Sequence, residues 1–300
     1  MLHVKRAKGR KDRYATIPES LLPILKNYYA TYKPKHFFIE KQYARTPEDL
    51  VSLVRAVRKN GVRVLCGYIQ RANPLVIHLK RLIDEGILGE IVDIEARLVT
   101  GQVRPGLRDP GGIMYTNEEE GGGILHMLAC HTVEVMRYLV DSEVKYVQGM
   151  TSRPIGFIDE PLEDIAIATF EYENGALGSL HAGYLQRVKG TAYDNGLVVR
   201  GDLGEAHWTP MTSQTLLVRT AAGEWAGSPE RSFEYTFPPG PPGYAATEWM
   251  LNFYQGFIED VCEDRESQVP VEVALRVLQT IDATYESART GQRVEVKYDL

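Results

Sequence analysis

Residues 36–69, "HFFIEKQYARTPEDLVSLVRAVRKNGVRVLCGYI", decide the fold. His36 to Ile39 is a short apolar run of strand type. Thr46 then stands where a helix N-cap is needed, because its hydroxyl can accept an unpaired first-turn N–H, while Pro47 has no N–H to leave unpaired. Glu48 and Asp49 suit the positive end of the helix dipole, Leu50, Leu53, Val54 and Val57 form an apolar stripe at helical spacing, and Gly61 supplies the stop. "VRVLCGYI" is a continuous apolar run, the pattern of a strand buried on both faces. A helix between two such strands is a βαβ unit, so the strands run parallel.

Downstream, "NPLVIHLKRLIDEG" (73–86) predicts a second helix ending on Gly86, and "GEIVDIEARLVTG" (89–101) alternates like a strand with one wet face. A Pro/Gly-rich loop at 101–117 leads to "NEEEGGGILHMLACHTVEVMRYLVD" (117–141), acid and glycine before a long helix. Seven strand candidates follow: "VKYVQGMTSR", "DIAIATFEYE", "GALGSLHAGYL", "NGLVVRGD", "GEAHWTP", "TLLVRTA" and "SFEYTFP". Glu173-Asn174-Gly175 and Asp194-Asn195-Gly196 are hairpin-turn signals. Helices at about Thr247 to Glu263 and at "VEVALRVLQTIDATYESARTG" close the chain. The pattern predicts an α/β (α+β) fold, an open and largely antiparallel sheet with helices on one face.

Upstream, residues 1–41 carry ten Lys/Arg against three acidic residues, a net +7, which leaves −13 for the rest of a chain whose total is −6. "LHVKRA" and "RYATI" predict a hairpin about Lys8-Gly9-Arg10, and "PESLLPILKNYYATY" a helix with Pro23 in or near its first turn. Such asymmetry fits a nucleic-acid arm or two pieces of different origin. Three cysteines without paired spacing, no signal-type apolar region and no apolar run long enough to span a bilayer place the expected setting in the cytoplasm, with no membrane partner.

Lys41, between a strand and a helix cap, can donate to a substrate oxygen; a solvated surface lysine is the alternative. His131 can act as general base toward a hydroxyl, or be a hydrogen-bonded core histidine. His126 lies five residues earlier, about 140° around a regular helix, so the two do not share a metal-binding face. Gly121-Gly122-Gly123 lacks the G-x-G-x-x-G spacing and suits the tight start of a helix better than a phosphate cradle. His181 and Tyr184, three apart on a strand, face opposite sides, so at most one lines a given pocket.

Read together, "EKQYARTPEDLVSLVRAVRKNGVRVLCGYIQRANPLVIHLKRLIDEGILGEI", "GGGILHMLACHTVEVMRYL" and "YESARTGQRVEV" closely resemble the Gfo/Idh/MocA family of NAD(P)-dependent oxidoreductases over residues 39–300. The resemblance implies a Rossmann domain whose end carries an E-K-P signature, then a helix-backed open sheet that holds a sugar or polyol substrate and mediates homo-oligomerisation. By position it makes Lys41 and His131 catalytic, sets Glu40 and Lys41 beside the cofactor, and places Arg71 at the passage between the domains; with His126, His181 and Tyr184, Arg71 is a candidate for substrate binding. Two departures stand out: Gln42 replaces the signature's proline, and Met127 stands where many members have an aspartate, with His126 beside it.

Residues 1–41 instead resemble an internal piece of a tyrosine recombinase (phage integrase), with Lys8 at the place of its hairpin lysine, but no H-x-x-R motif follows. The expected division is a recombinase-like fragment (1–41), a Rossmann remnant with its crossover helix (42–97) and an α/β substrate and oligomerisation domain (98–300). No G-x-G-x-x-G occurs in the first sixty residues. The sequence therefore predicts a chimeric, truncated oxidoreductase of the sugar-dehydrogenase type, impaired in binding NAD or NADP. A non-catalytic carbohydrate-binding or oligomerisation module is the alternative, and nucleic-acid binding through the basic arm is the weaker third.

Overall fold

The computed structural model describes residues 2–4, 13–15, 31, 35–41, 44, 46–101, 103, 123–156, 158, 160–186, 193–208, 215–235 and 248–300. The expected turn at Lys8-Gly9-Arg10, nearly all of the helix from Pro18, and Gly121-Gly122 lie outside these residues. At the start, β1 (Leu2–Val4) pairs antiparallel with β2 (Arg13–Ala15), as the hairpin pattern predicts.

The βαβ unit forms as read: β3 (His36–Ile39), α1 (Pro47–Lys59) and β4 (Arg63–Cys66), with the two strands parallel. The Thr46 side chain accepts the Asp49 N–H at 3.2 Å. After α1 the chain turns through Gly61 at φ +58°, in the left-handed region where a side chain is strained. A turn of 3₁₀-helix (Ile69–Ala72) leads into α2 (Pro74–Asp84), capped by the Asn73 side chain at the Leu75 N–H.

The main sheet has nine strands: β5 (Ile91–Thr100), β6 (Val144–Ser152), β7 (Ile165–Tyr172), β8 (Leu177–Gly183), β9 (Tyr193–Gly201), β10 (Gly204–Trp208), β11 (Thr215–Thr220), β12 (Glu230–Glu234) and β13 (Val294–Glu295). Their order is β12-β11-β10-β9-β5-β8-β7-β6-β13, and every neighbouring pair is antiparallel except β5 with β8. The predicted open, largely antiparallel sheet is thus present. Alternation sorts its faces: Ile94, Ala96, Leu98, Ala166, Ala168, Phe170, Leu180 and Ala182 are buried, while Glu95, Arg97, Ile167 and Thr169 are exposed.

The buried face is covered by the long helix after Gly123, which opens as a π-helical turn (Leu125–Ala129) and continues as α3 (Cys130–Val140), and by α5 (Val271–Thr290); α4 is Glu248–Cys262. At Gly149 the backbone of α5 comes so close to β6 that a Cβ would sit 2.7 Å from Thr284 Cγ2, and Ser287 Oγ accepts the Gly149 N–H at 3.0 Å. Close seating of α5 on the sheet matters for the site, because α5 carries Tyr285.

Two expectations change. Asp194-Asn195-Gly196 is not a turn: it lies inside β9, paired with Val99, Leu98 and Arg97 of β5. The absent Gly196 side chain leaves room there for the Arg97 guanidinium, 3.5 Å from where a Cβ would be, and Arg97 pairs with Asp194. Tertiary pairing overrides the local turn signal. The boundary expected at 97/98 falls inside β5, a central strand, so the sheet draws on residues from both sides of it.

Candidate active site

The π-helical turn is the local feature from which the site is built. A wider i→i+5 turn leaves a helix carbonyl without its usual partner. Here the Lys41 ammonium, arriving from the end of β3, donates to the Met127 carbonyl, while the Met127 side chain is fully buried. Gly67, directly after β4, lets the chain pass close to Glu40 and Lys41: a Cβ there would stand 2.9 Å from Glu40 Oε2 and 3.2 Å from the Lys41 backbone nitrogen.

His131 sits one helical turn beyond Met127. Its Nδ1 is buried without a hydrogen-bond partner among the described residues, and the Tyr68 ring meets its imidazole edge-on with centroids 5.7 Å apart. Burial first, and the Lys41 charge second, push the imidazole down to about 3, so it is neutral at physiological pH. Lys41 and His131, ninety residues apart in the chain, therefore share one electrostatic neighbourhood. Burial also raises the Cys130 thiol, with Lys41 opposing that shift. The arrangement pairs a cationic donor with a neutral imidazole, the set needed to polarise an oxygen and receive its proton.

His126 and His131 are not related by a regular helical twist, because the π-helical turn lies between them; the His126 ring packs on Tyr285, with centroids 5.6 Å apart. Among the described residues no group of three His, Cys, Asp or Glu side chains could hold a metal ion. Glu40 is exposed, and its Oε1 accepts the Tyr254 hydroxyl at 3.4 Å.

Arg71 points into the protein. Its Nε donates to Glu134 Oε1 at 2.6 Å, one turn beyond His131 on the same helix, and its guanidinium carbon lies 4.1 Å above the Tyr138 ring. Glu134 is completely buried, so desolvation raises its carboxyl against the lowering effect of Arg71. His181 and Tyr184 face opposite sides. Tyr184 is in the core, its hydroxyl donating to the Gly123 carbonyl at 3.2 Å, whereas His181 lines a concavity on the outer sheet face with Glu95, Arg97, Ser179 and His207. His181 is thus not brought to Lys41 and His131.

Sequence reasoning missed Tyr68, Glu134, Glu163 and Tyr285. Glu163 Oε1 accepts the Leu125 N–H and the Tyr285 hydroxyl, each at 2.9 Å. The one available signal was the adjacent pair Glu163-Asp164 before an apolar strand, which reads locally as a solvated loop.

Residues 76–207 match the GFO/IDH/MocA C-terminal domain. The chain is 28% identical over 191 residues to the uncharacterized oxidoreductase YrbE of Bacillus subtilis (strain 168), covering 62% of this chain and 52% of that protein. Against scyllo-inositol 2-dehydrogenase (NAD(+)) of the same strain it is 24% identical over 193 residues, covering 63% and 52%. The chain spans about half the length of these curated relatives. Levoglucosan dehydrogenase in complex with NADH and levoglucosan shares the fold, with a TM-score of 0.76 at 22% identity over 88% of this chain and 74% of that one. None of these similarities concerns a recombinase, so the recombinase-like and chimeric reading of residues 1–41 has no support beyond the sequence resemblance, and the same holds for truncation and impairment.

The Arg71–Glu134 pair yields a test of whether Arg71 is structural. Arg71→Met leaves a buried carboxylate without its cation and should lower stability in urea unfolding by about 3 kcal/mol, with Glu134→Gln restoring much of it in the double variant. An Arg71→Met protein as stable as the parent would remove the structural role.

Proposed function

We propose that this chain supplies the substrate side of a Gfo/Idh/MocA-type oxidoreduction, binding a sugar or polyol hydroxyl between Lys41 and His131. The carrying observation is that the Lys41 ammonium docks on the Met127 carbonyl, one helical turn before His131, so that its charge acts on the imidazole. The Lys41 ammonium, now held by the Met127 carbonyl, is the donor that a substrate oxygen would take over. His131, kept neutral, is the group that accepts the hydroxyl proton. An oxyanion forming between them offsets the ammonium's field and raises the imidazole's proton affinity as the proton moves. The Tyr68 ring holds the imidazole plane. The relatives' names, a scyllo-inositol dehydrogenase and a levoglucosan dehydrogenase, agree with a polyhydroxylated substrate.

A nicotinamide dinucleotide does not fit onto the described βαβ unit. Its pyrophosphate requires free backbone N–H groups at a helix start, approached through a glycine-rich turn. Residues 40–60 contain no glycine, Pro47 has no N–H, and the Asp49 N–H is already taken by Thr46. No site for the hydride acceptor is therefore assigned to these residues.

Titration with myo-inositol and D-xylose, followed by NMR, should give saturable binding at millimolar concentration that Lys41→Met or His131→Ala weakens at least tenfold. NADH and NADPH fluorescence titrations should show no saturation in the micromolar range. Absence of polyol binding would defeat the substrate assignment, and micromolar NADH binding would defeat the cofactor one.

A second reading, assembly, is favoured by the outer sheet face. Met150, Ile167 and Leu177 are exposed there, Met150 directly opposite Ile167 across β6 and β7, next to the His181 concavity of about 420 Å³. Light scattering should return a homo-oligomer that Ile167→Glu dissociates; a monomeric parent protein would exclude assembly through this face.

A further inference from the structure

The helix that carries the site begins inside the protein, so its unpaired first-turn N–H groups have no water to bond. No neighbouring side chain among the described residues caps it. The caps come from far along the chain: the Ile124 N–H goes to the Glu163 carbonyl at 3.3 Å, the Leu125 N–H to Glu163 Oε1 at 2.9 Å, and the His126 N–H to the Tyr285 hydroxyl, which itself donates to Glu163 Oε1 at 2.9 Å. The Met127 N–H closes back on the Gly123 carbonyl at 3.1 Å. Gly123, at φ +80°, is pressed on the same carboxyl, since a Cβ there would stand 2.6 Å from Glu163 Oε2.

We propose that Glu163 is a positioning residue whose carboxyl, together with Tyr285, holds the first turn of this helix, so that proton binding at Glu163 adjusts the Met127 carbonyl to which Lys41 is docked. This rests on the Lys41–His131 site proposed above. Glu163 is 4% exposed, and no charged side chain among the described residues pairs with it. The groups around it are Tyr285 from α5, Tyr184 bonded to the Gly123 carbonyl, the His126 ring packed on Tyr285, and the neighbouring Asp164, whose Oδ2 accepts the Ile155 and Gly156 N–H groups while its Oδ1 is buried without a hydrogen-bond partner among the described residues. Burial raises the Glu163 carboxyl to about 7, and the N–H and Tyr285 hydrogen bonds oppose that rise. The group thus changes charge near neutrality. Because its folded-state value lies above the ordinary 4.5, its contribution to stability is complete below that pH and is lost as pH rises toward about 7.

The test uses the whole protein without substrate, so its outcome is separate from the catalytic reading. Between pH 5.5 and 8.5, the Leu125 amide and Met127 carbonyl resonances should titrate together with a midpoint near 7. Both curves should be flat in Glu163→Gln, which keeps an acceptor oxygen. Tyr285→Phe should remove the response at the His126 amide while keeping it at Leu125. Titration that persists in Glu163→Gln, or a flat wild-type profile, would overturn the proposal. A Leu125 response without one at Met127 would show a cap that does not position the site, and would overturn it equally. Urea unfolding gives a second readout: stability of the parent relative to Glu163→Gln should fall between pH 5 and pH 8, and parallel profiles would contradict the assignment.

Discussion

Burial of a helix start is the constraint on which the site depends. A helix that begins in the open can bond its first N–H groups to water, whereas one that begins under a sheet and a second helix must find protein acceptors. In this chain the acceptors are Glu163, just before β7, and Tyr285 on α5. Both can reach the turn only because α5 is seated closely on β6 at Gly149 and because Gly123 has no side chain. The π-helical turn that follows exposes the Met127 carbonyl, and that carbonyl ties the βαβ unit to the sheet through Lys41.

A second buried pair reinforces the same junction. Arg71, at the end of the 3₁₀ turn after β4, reaches Glu134 one turn beyond His131. The Tyr68 ring lies against His131 between these two anchors, and burial pushes its phenol well above its ordinary value, so it stays protonated. His131 is therefore bounded by an ammonium, an aromatic edge and apolar neighbours, with no carboxylate hydrogen-bonded to it among the described residues. Such an environment keeps the imidazole neutral at physiological pH.

Much of the fold could be read locally. Thr46-Pro47, Asn73-Pro74 and the stops at Gly61, Gly86 and Gly291 announce helix ends through single-residue chemistry, and the alternation of β5 to β8 announces a one-faced sheet. Asp194-Asn195-Gly196 misled because its glycine serves the Arg97 side chain on the neighbouring strand and not a turn. The site was legible only in part. Lys41 and His131 stood out by position within motifs, but Glu163, Tyr285 and Glu134 act across 38, 159 and 63 residues on Leu125, His126 and Arg71, and nothing adjacent to them in sequence marks such partners. Arg71, a motif position that suggests a ligand contact, also pairs with Glu134 on the helix.

The proposed site requires Lys41 and His131 to lie together although they come from different structural units. NMR titration of the His131 imidazole, in the parent protein and in Lys41→Met, tests it most directly. A strongly depressed value, near 3, is expected in the parent, and a higher one without the ammonium, still below 6.5 because burial remains the larger cause. An imidazole that titrates identically in the two proteins would contradict it.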